Sequence, residues 1–326
     1  MSKKLARLVT GIAMVFACAT GALAQWKPTR NVELVAPATP GGGYDTLARA
    51  VHKVMQEQKL VAGPVNVVNK AGGGGGIGWA YVSQHASDGH YIGVASSTLL
   101  TNDIAGINPF KWTELTALGV IATEYLVFSV RNESKLKSGK DVMDAVRGNP
   151  KAVNFATAPG PGNANHIILG MLSKAIGVTV RQVPLVFFSS AGDSTMAALG
   201  GPVDLVISSI PPVLGHVRAN RMRILAVGAP QRLLGTMADV PTWRELGVDA
   251  VFVNWRGVVG PRNLGREQVR YWEDVLGTLT KTDAWKTYSE DTFAIPTYMD
   301  AAASSQFLQT QHTDVRGIMQ ELGLAK

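Results

Sequence analysis

The chain has 326 residues and a formal net charge of +7, with 46% hydrophobic and 17% charged residues. Its length is enough for two ordinary domains. Its Lys and Arg residues are spread along the sequence without a cluster, whereas proteins that bind nucleic acid concentrate positive charge on one face. The composition therefore indicates a globular protein suited to a small anionic ligand and disfavours binding to nucleic acid.

The N-terminus has the pattern of a cleaved export signal. Lys3, Lys4 and Arg7 precede a short apolar run over residues 8–19, and the segment ends in ALA, a typical cleavage site. The run is too short to span a bilayer comfortably. We therefore predict a signal peptide over residues 1–24, a mature chain of 302 residues with a charge of +4, and a location in the periplasm.

The only cysteine is Cys18, which lies inside the predicted signal peptide. The mature chain would then contain no disulfide and no cysteine-ligated metal, which suits an exported bacterial protein. An alternative is a lipoprotein anchored through Cys18, but Phe16 stands where a small residue is usual. No later stretch approaches the length of a transmembrane helix.

The first predicted strand–loop–helix unit contains a glycine-rich loop. An apolar strand over residues 32–36 precedes the loop at residues 40–45 (PGGGYD), and Asp45 is placed to be the N-cap of the helix that follows. Glycines let the backbone approach a ligand closely, and the N–H groups and dipole of a helix start favour an anion. The helix is predicted from an apolar stripe: Leu47, Val51, Val54 and Met55.

The second half of the chain repeats this arrangement. A strand over residues 152–156 leads into the loop at residues 157–163 (TAPGPGN), and a helical stripe follows. Each half thus carries one helix start that favours an anion. The alternative is that both loops are tight turns without a ligand, since short glycine-containing loops are common between strands and helices.

The remaining pattern alternates strands and helices, which is typical of parallel sheets in α/β layers. The apolar stretch over residues 118–130, interrupted only by Glu124, indicates two strands or one long crossing strand. In open α/β sheets the ligand crevice lies outside the carboxyl ends of the strands. Other predicted strands cover residues 65–69, 91–95, 178–183, 203–207 and 224–227, the last a candidate return crossing.

Motifs for cofactor or metal chemistry are weak or missing. Gly73, Gly75 and Gly78 match a dinucleotide-binding fingerprint, but a run of five glycines matches many patterns, and the expected acidic residue about 20 positions on is not evident. None of the six histidines has the spacing of a metal site. We therefore predict no cofactor, no metal and no catalytic residue.

Three residues near the two loops invite a functional interpretation. His166 follows the second loop and is a candidate to face an anion, although a helix-start histidine is often satisfied by backbone or water. Asp45 is better explained as a cap than as a general base. Tyr44, inside the first loop, is a candidate wall or lid of a cleft.

The sequence of the first loop and its helix resembles a known family. Residues 40–45 followed by 47–49 (LAR) are similar to the first-loop signature of the periplasmic binding proteins of tripartite tricarboxylate transporters, the "Bug" proteins abundant in Bordetella and its relatives. The similarity continues through residues 69–78. Further motifs follow in the family's order at residues 88–89, 201–204, 223–227, 239–242 and 255–257.

This resemblance implies a fold and a function. The fold would be an α/β, two-domain Venus-flytrap fold with crossover hinge strands near residues 122–127 and 224–228. Domain 1 would comprise residues 25–124 and 225–326, and domain 2 residues 125–224. The protein, expected to be a monomer, would capture a small carboxylate in the cleft and deliver it to a two-component membrane permease.

The resemblance also implies ligand contacts by position. The first-domain contacts would be Gly42, Gly43, Tyr44, Asp45, Ser96 and Ser97. The second-domain contacts would be Thr157, Gly162, Asn163, Ser190, Ala191 and Ser208. The chain departs from the family at residues 158–163, 187–190 and 208–209, where it lacks a Lys and an acidic residue common among relatives. Neutral donors and two helix starts favour a plain di- or tricarboxylate.

Two other functions remain open from the sequence. One is an exported α/β enzyme that acts on carboxylates, with Asp45 or His166 as general base. The other is a ligand-sensing partner of a membrane receptor kinase, which would share the fold and the site.

Overall fold

The computed structural model describes residues 26–108, 110–158 and 160–326. The predicted signal peptide and Cys18 lie outside these residues. Two mixed sheets are covered by helices. The strands are β1 Val32–Ala36, β2 Val65–Asn69, β3 Tyr91–Ser96, β4 Leu115–Glu124, β5 Val127–Arg131, β6 Phe155–Thr157, β7 Leu185–Phe187, β8 Leu205–Ser208, β9 Met222–Val227, β10 Asn254–Pro261 and β11 Ile295–Met299. The helices are α1 Gly43–Glu57, α2 Gly76–Ser83, α3 Thr98–Ile104, α4 Gly139–Gly148, α5 Ala164–Ala175, α6 Ala191–Gly200, α7 Pro211–Arg218, α8 Arg266–Leu279, α9 Asp283–Thr292 and α10 Ala301–Leu322.

The first sheet has six strands in the order β11-β4-β10-β3-β1-β2. Strand β1 pairs in parallel with β2 and β3, as expected when helices connect the strands, while β10 runs antiparallel to β3 and β4. The predicted stripe of α1 is buried against this sheet. Its carboxyl edge, where β1, β3 and β4 end, therefore carries the first glycine-rich loop.

The second sheet has five strands in the order β7-β6-β8-β5-β9. Strand β6 pairs in parallel with β7 and β8, and β5 is antiparallel to β8 and β9. Its core is formed by Phe128, Phe155 and Leu205 together with the apolar face of α5. The second loop follows the carboxyl end of β6, and the parallel strand β8 ends at the same edge.

The first crossing between the sheets lies where the apolar stretch over residues 118–130 predicted it. Strand β4 belongs to the first sheet and β5 to the second, and only Tyr125 and Leu126 separate them. Glu124, the last residue of β4, is buried. The two alternatives drawn from the sequence are thus resolved as two strands.

The return crossing lies later in the chain than predicted. Strand β9 pairs with β5 inside the second sheet, so residues 224–228 are not the crossing. The segment after β9 stays with that sheet: Trp243 packs edge-on against Phe128, with ring centroids 4.8 Å apart. The chain rejoins the first sheet only at Asn254, the first residue of β10. The correction arises because an apolar strand does not reveal which sheet it joins.

Two further features differ from, or add to, the sequence pattern. The predicted strand over residues 178–183 is a 3₁₀ turn at Val180–Gln182, held by the Val183 N–H bond to the Val180 carbonyl. Helix α10 contacts both sheet units: Ser304 Oγ accepts from the N–H of Val120 at 2.8 Å, whereas Met319 is buried in the second core. Within the described ranges, no helix is both apolar and long enough to cross a bilayer.

Candidate functional site

The first glycine-rich loop leads into α1, but the capping residue differs from the prediction. Gly42 has the extended backbone of an N-cap, and the helix begins at Gly43. Asp45 is the third helical residue, so its predicted role as N-cap is corrected. An acidic side chain in the first turn reaches back to a backbone N–H ahead of the helix. Asp45 does this with Gly41, at 2.9 Å.

Asp45 is buried and engaged through both of its oxygens. Oδ2 accepts from Gly41 N–H and, at 2.8 Å, from Arg49 Nε, and Oδ1 accepts from Asn69 Nδ2 at 2.8 Å. The hydrogen bond from Arg49 is the main cause that lowers the pKa of Asp45 to about 2. Asp45 therefore remains an anion and holds the loop in place.

Tyr44 connects the first loop to the end of β3. Its hydroxyl lies 2.6 Å from Ser96 Oγ, and its ring meets Trp79 edge-on with centroids 5.6 Å apart. Burial raises the pKa of Tyr44, so the phenol stays protonated at neutral pH. Tyr44 thus connects the first loop to the carboxyl end of β3 and to Trp79 of α2.

The glycine run after β2 is hydrogen-bonded to α3, the helix that follows β3. Gly72 to Gly75 all have positive φ, between 56° and 124°, so side chains would be strained there. Asn102 Nδ2, on α3, donates to the carbonyls of Gly73 and Gly74, each at 3.2 Å. This run is therefore tied to the helix that follows Ser96 and Ser97.

The carboxyl edge of the first sheet also contains a polar network that the sequence pattern does not predict. Ser97 donates to Asn254 Oδ1 at 2.7 Å, and Asn254 donates to Glu124 Oε1 at 2.7 Å. Arg256 donates to the same carboxylate oxygen. The sequence feature that points to this network is Glu124, the single charge in an apolar stretch. A carboxylate buried in such a stretch requires a hydrogen-bonding or charged partner.

The second loop forms the N-terminus of α5. Asn163 is the N-cap, as its side-chain oxygen accepts from the N–H of His166 at 3.0 Å, and its Nδ2 donates to the Gly160 carbonyl at 2.7 Å. Gly162 has φ of 80°, which favours glycine. Together these residues bend the chain so that the start of α5 points out of the carboxyl edge of β6.

His166 is neutral in this environment. Burial lowers its pKa to about 4, and Nδ1 accepts from the N–H of Gly162 at 3.2 Å, which leaves the proton on Nε2. Its ring meets Phe187 edge-on at 5.5 Å. His166 thus offers a ligand one neutral N–H donor and no positive charge.

The other second-domain candidates lie at the ends of β6 and β8 and at the start of α6. Thr157 is buried and its Oγ1 has no partner in the described residues. Ser208 Oγ donates to the Ser209 carbonyl at 2.7 Å. Ser190 is the N-cap of α6, which begins at Ala191, and its Oγ accepts from Asp193 N–H at 3.1 Å.

The two groups of candidates flank the first crossing. On one side, Glu124 pairs with Asn254, to which Ser97 is hydrogen-bonded. On the other side, Val127 pairs with Ser208. The crossing at residues 125–126 therefore lies between a candidate of the first sheet and one of the second. Among the residues that the structure describes, no group of three or more His, Asp or Glu could hold a metal ion.

Comparison with known sequences agrees with the predicted resemblance. A family model described as "Tripartite tricarboxylate transporter family receptor" matches residues 47–324. Protein BugT of Bordetella pertussis is 28% identical over 240 residues, which cover 72% of this chain and 72% of BugT.

Solved structures show the same fold. The periplasmic binding protein BugD has a TM-score of 0.79 at 20% identity, with 92% of this chain and 99% of BugD covered. MatC from Rhodopseudomonas palustris, solved with bound malate, has a TM-score of 0.75 at 22% identity (89% and 99% covered). An R. palustris protein solved with adipate has a TM-score of 0.81 at 23% identity (91% and 99% covered). The family match spans most of the chain, which therefore belongs to the tripartite tricarboxylate transporter receptor family, whose members are periplasmic solute-binding proteins.

Proposed function

We propose that this protein is an exported receptor that captures a small organic di- or tricarboxylate between its two sheets and delivers it to a two-component membrane permease. The proposal includes cleavage after residue 24 and action as a monomer in the periplasm. Relatives solved with malate and adipate support the ligand class. The binding contacts would be those carried over by position from the family, together with His166.

One observation carries the proposal: each sheet presents a helix start at its carboxyl edge. In the described residues, the N–H groups of Gly43 and Tyr44 in α1 and of Ala164 and Asn165 in α5 have no acceptor. The helices have 15 and 12 residues, long enough for a developed dipole. Free N–H groups at such ends bind carboxylates well.

Binding would be coupled to closure of the two domains. The short crossings at residues 125–126 and near residue 253 connect the sheets, and changes at a few such positions can rotate whole domains. A ligand that contacts both helix starts favours the closed form over the open one and so shifts the equilibrium between them. Burial between the domains would then hold the ligand until a permease opens the receptor.

The enzyme alternative lacks support from the two candidate bases. A general base works best with a pKa near the operating pH. Asp45 has a pKa of about 2 and both oxygens occupied, and His166 has a pKa of about 4. The geometry supports binding by fixed donors better than proton abstraction by either residue.

The first test is a thermal-shift screen of the mature protein against malate, adipate, citrate, monocarboxylates and amino acids. A ligand at a hundredfold excess over its dissociation constant adds about 2.7 kcal/mol of stability. We expect a shift with one class of di- or tricarboxylate and no consumption of it. A complete lack of response to carboxylates would contradict the proposal.

A pair of variants then tests the two helix starts. Gly43→Asp places a negative charge at the start of α1, where an added Cβ meets no atom within 4 Å. Asn163→Asp does the same at the start of α5. Gly148→Asp is the matched control, because it adds the same charge at the C-terminal residue of α4. An added Cβ meets no atom within 4 Å there, as at Gly43. We expect weaker carboxylate binding in the first two only; unchanged affinity in both would refute the site.

A further inference from the structure

The end of the first sheet contains a partly buried ion pair that none of the candidate contacts includes. Arg256 and Glu124 lie on adjacent antiparallel strands, β10 and β4, and Arg256 donates to Glu124 Oε1. Asn254 donates to the same oxygen at 2.7 Å. The Glu124 carboxylate therefore holds two donors at the point where both crossings meet the first sheet.

The ion pair adjoins the proposed ligand contacts of the first domain. Arg256 is the register partner of Ser96 on β3, so the two side chains project from the same face of the sheet. Ser96 Oγ lies 2.6 Å from the hydroxyl of Tyr44. The positive charge of Arg256 also acts on Tyr44, where it opposes the effect of burial on the pKa of the phenol.

The guanidinium has donor capacity that Glu124 does not use. Its side chain is 21% exposed, against 9% for Glu124. Within the described residues, its side-chain hydrogen bonding consists of the one bond to Glu124. A guanidinium carries five N–H donors in a planar fork suited to carboxylates. Arg256 can therefore bind a second carboxylate without losing its first partner.

We propose that Arg256 binds one carboxylate of the ligand beside Tyr44 and Ser96, and that Glu124 orients the guanidinium and neutralises it in the empty receptor. This inference rests on the proposed function and narrows it: the ligand is a dicarboxylate whose first carboxylate meets Arg256 and whose second meets the α5 helix start. Glu124 repels the incoming anion, so it limits the affinity and eases release.

The opposite effects of the two charges distinguish a ligand contact from a structural ion pair. If Arg256 binds ligand, Arg256→Gln weakens binding. Glu124→Gln keeps the guanidinium and a side-chain oxygen that can still orient it, and it removes the repulsion. If the pair only supports the fold, both single substitutions should lower stability and affinity together, because each of them leaves the other residue as an unpaired charge.

Calorimetric titration of the mature protein with malate and with adipate provides the test. We expect Arg256→Gln to weaken binding of whichever probe the wild type binds by roughly tenfold to a hundredfold, the size typical of a charge-assisted hydrogen bond. Glu124→Gln should bind at least as tightly as the wild type. The control is Arg262→Gln, which breaks the exposed Arg262–Glu114 pair at the opposite end of the same two strands.

The Arg256→Gln variant leaves Glu124 as an unpaired charge and could fail to fold for that reason. The double variant Glu124→Gln/Arg256→Gln leaves no unpaired charge, and we expect it to lose as much affinity for the dicarboxylate as Arg256→Gln. Equal affinity of the wild type, Arg256→Gln and the double variant would overturn this inference and leave the proposed function intact. Weaker binding by Glu124→Gln would overturn it as well. A wild type that binds no carboxylate in the thermal-shift screen would contradict the proposed function. A wild type that binds only citrate or only monocarboxylates would contradict this inference alone.

Discussion

Replacing His166 by Gln tests whether the second loop holds a buried neutral imidazole. Burial lowers its pKa from 6.5 to about 4, and the N–H of Gly162 donates to its Nδ1. In the unfolded chain the ring titrates near its ordinary pKa. Between pH 6.5 and 4 the unfolded chain therefore binds a proton that the folded protein does not, so the free energy of unfolding falls as the pH falls.

The size of the effect follows from the two pKa values. A difference of about 2.5, at about 1.36 kcal/mol per pH unit, corresponds to about 3.4 kcal/mol when expressed in full. About 2.7 kcal/mol of this is reached by pH 4.5. His166 is partly exposed, and solvent screening reduces the figure to about 1 to 2 kcal/mol.

The assay is urea unfolding of the ligand-free protein at pH 7.5 and pH 4.5. Other groups titrate over this range, so the comparison is between wild type and His166→Gln. We expect the wild type to lose about 1 to 2 kcal/mol more than the variant. Parallel pH dependence in wild type and His166→Gln would refute the reasoning.

Three further substitutions test the two loops and the C-terminal end of α1. Asp45→Asn should cost about 2 kcal/mol at pH 7. The pKa of Asp45 in the folded protein is about 2, below its ordinary value of 3.8, so the cost is present above pH 3.8 and should vanish toward pH 2. Urea unfolding at several pH values measures this, and a cost that does not change with pH would contradict the prediction. Asn163→Ala removes the cap of α5 and should lower stability by about 1 kcal/mol, so an unchanged melting temperature would count against the cap. Lys59→Gly relieves a φ of 50° and should raise stability by about 1 kcal/mol, whereas a lower melting temperature would show that the lysine side chain matters more.

Local sequence patterns predicted the individual elements well. Strands β1 and β2 have the bounds expected from their apolar runs, residues 32–36 and 65–69. The four stripe residues of α1 are all buried. These elements succeeded because apolar periodicity directly reflects which face of a strand or helix meets the core.

The assignment of strands to sheets was less predictable. Strand β9 and strand β4 are both apolar, yet β4 lies in the first sheet and β9 in the second. The predicted strand over residues 178–183 became a turn because its valines are buried by the second core rather than by a ladder. Pairing over long sequence separations depends on tertiary contacts, which apolar content alone does not specify.

The candidate site divides in the same way. The glycine-rich loops, the helix starts and the cap at Asn163 follow from short-range backbone preferences, so they were accessible from the sequence. The cap at Gly42 was missed because Asp45 is also a good capping residue, and only its bond to Gly41 shows that it reaches back from inside the helix.

What the sequence determined by itself was thus the family, the alternation of strands and helices, and the two loops that favour an anion, since all of these depend on residues close together in the chain. The tertiary structure alone decided where the chain returns to the first sheet and that Arg256 pairs with Glu124 beside Ser96 and Tyr44. These residues are far apart in sequence, and a charge becomes a partner or a binding group only when folding buries it next to another.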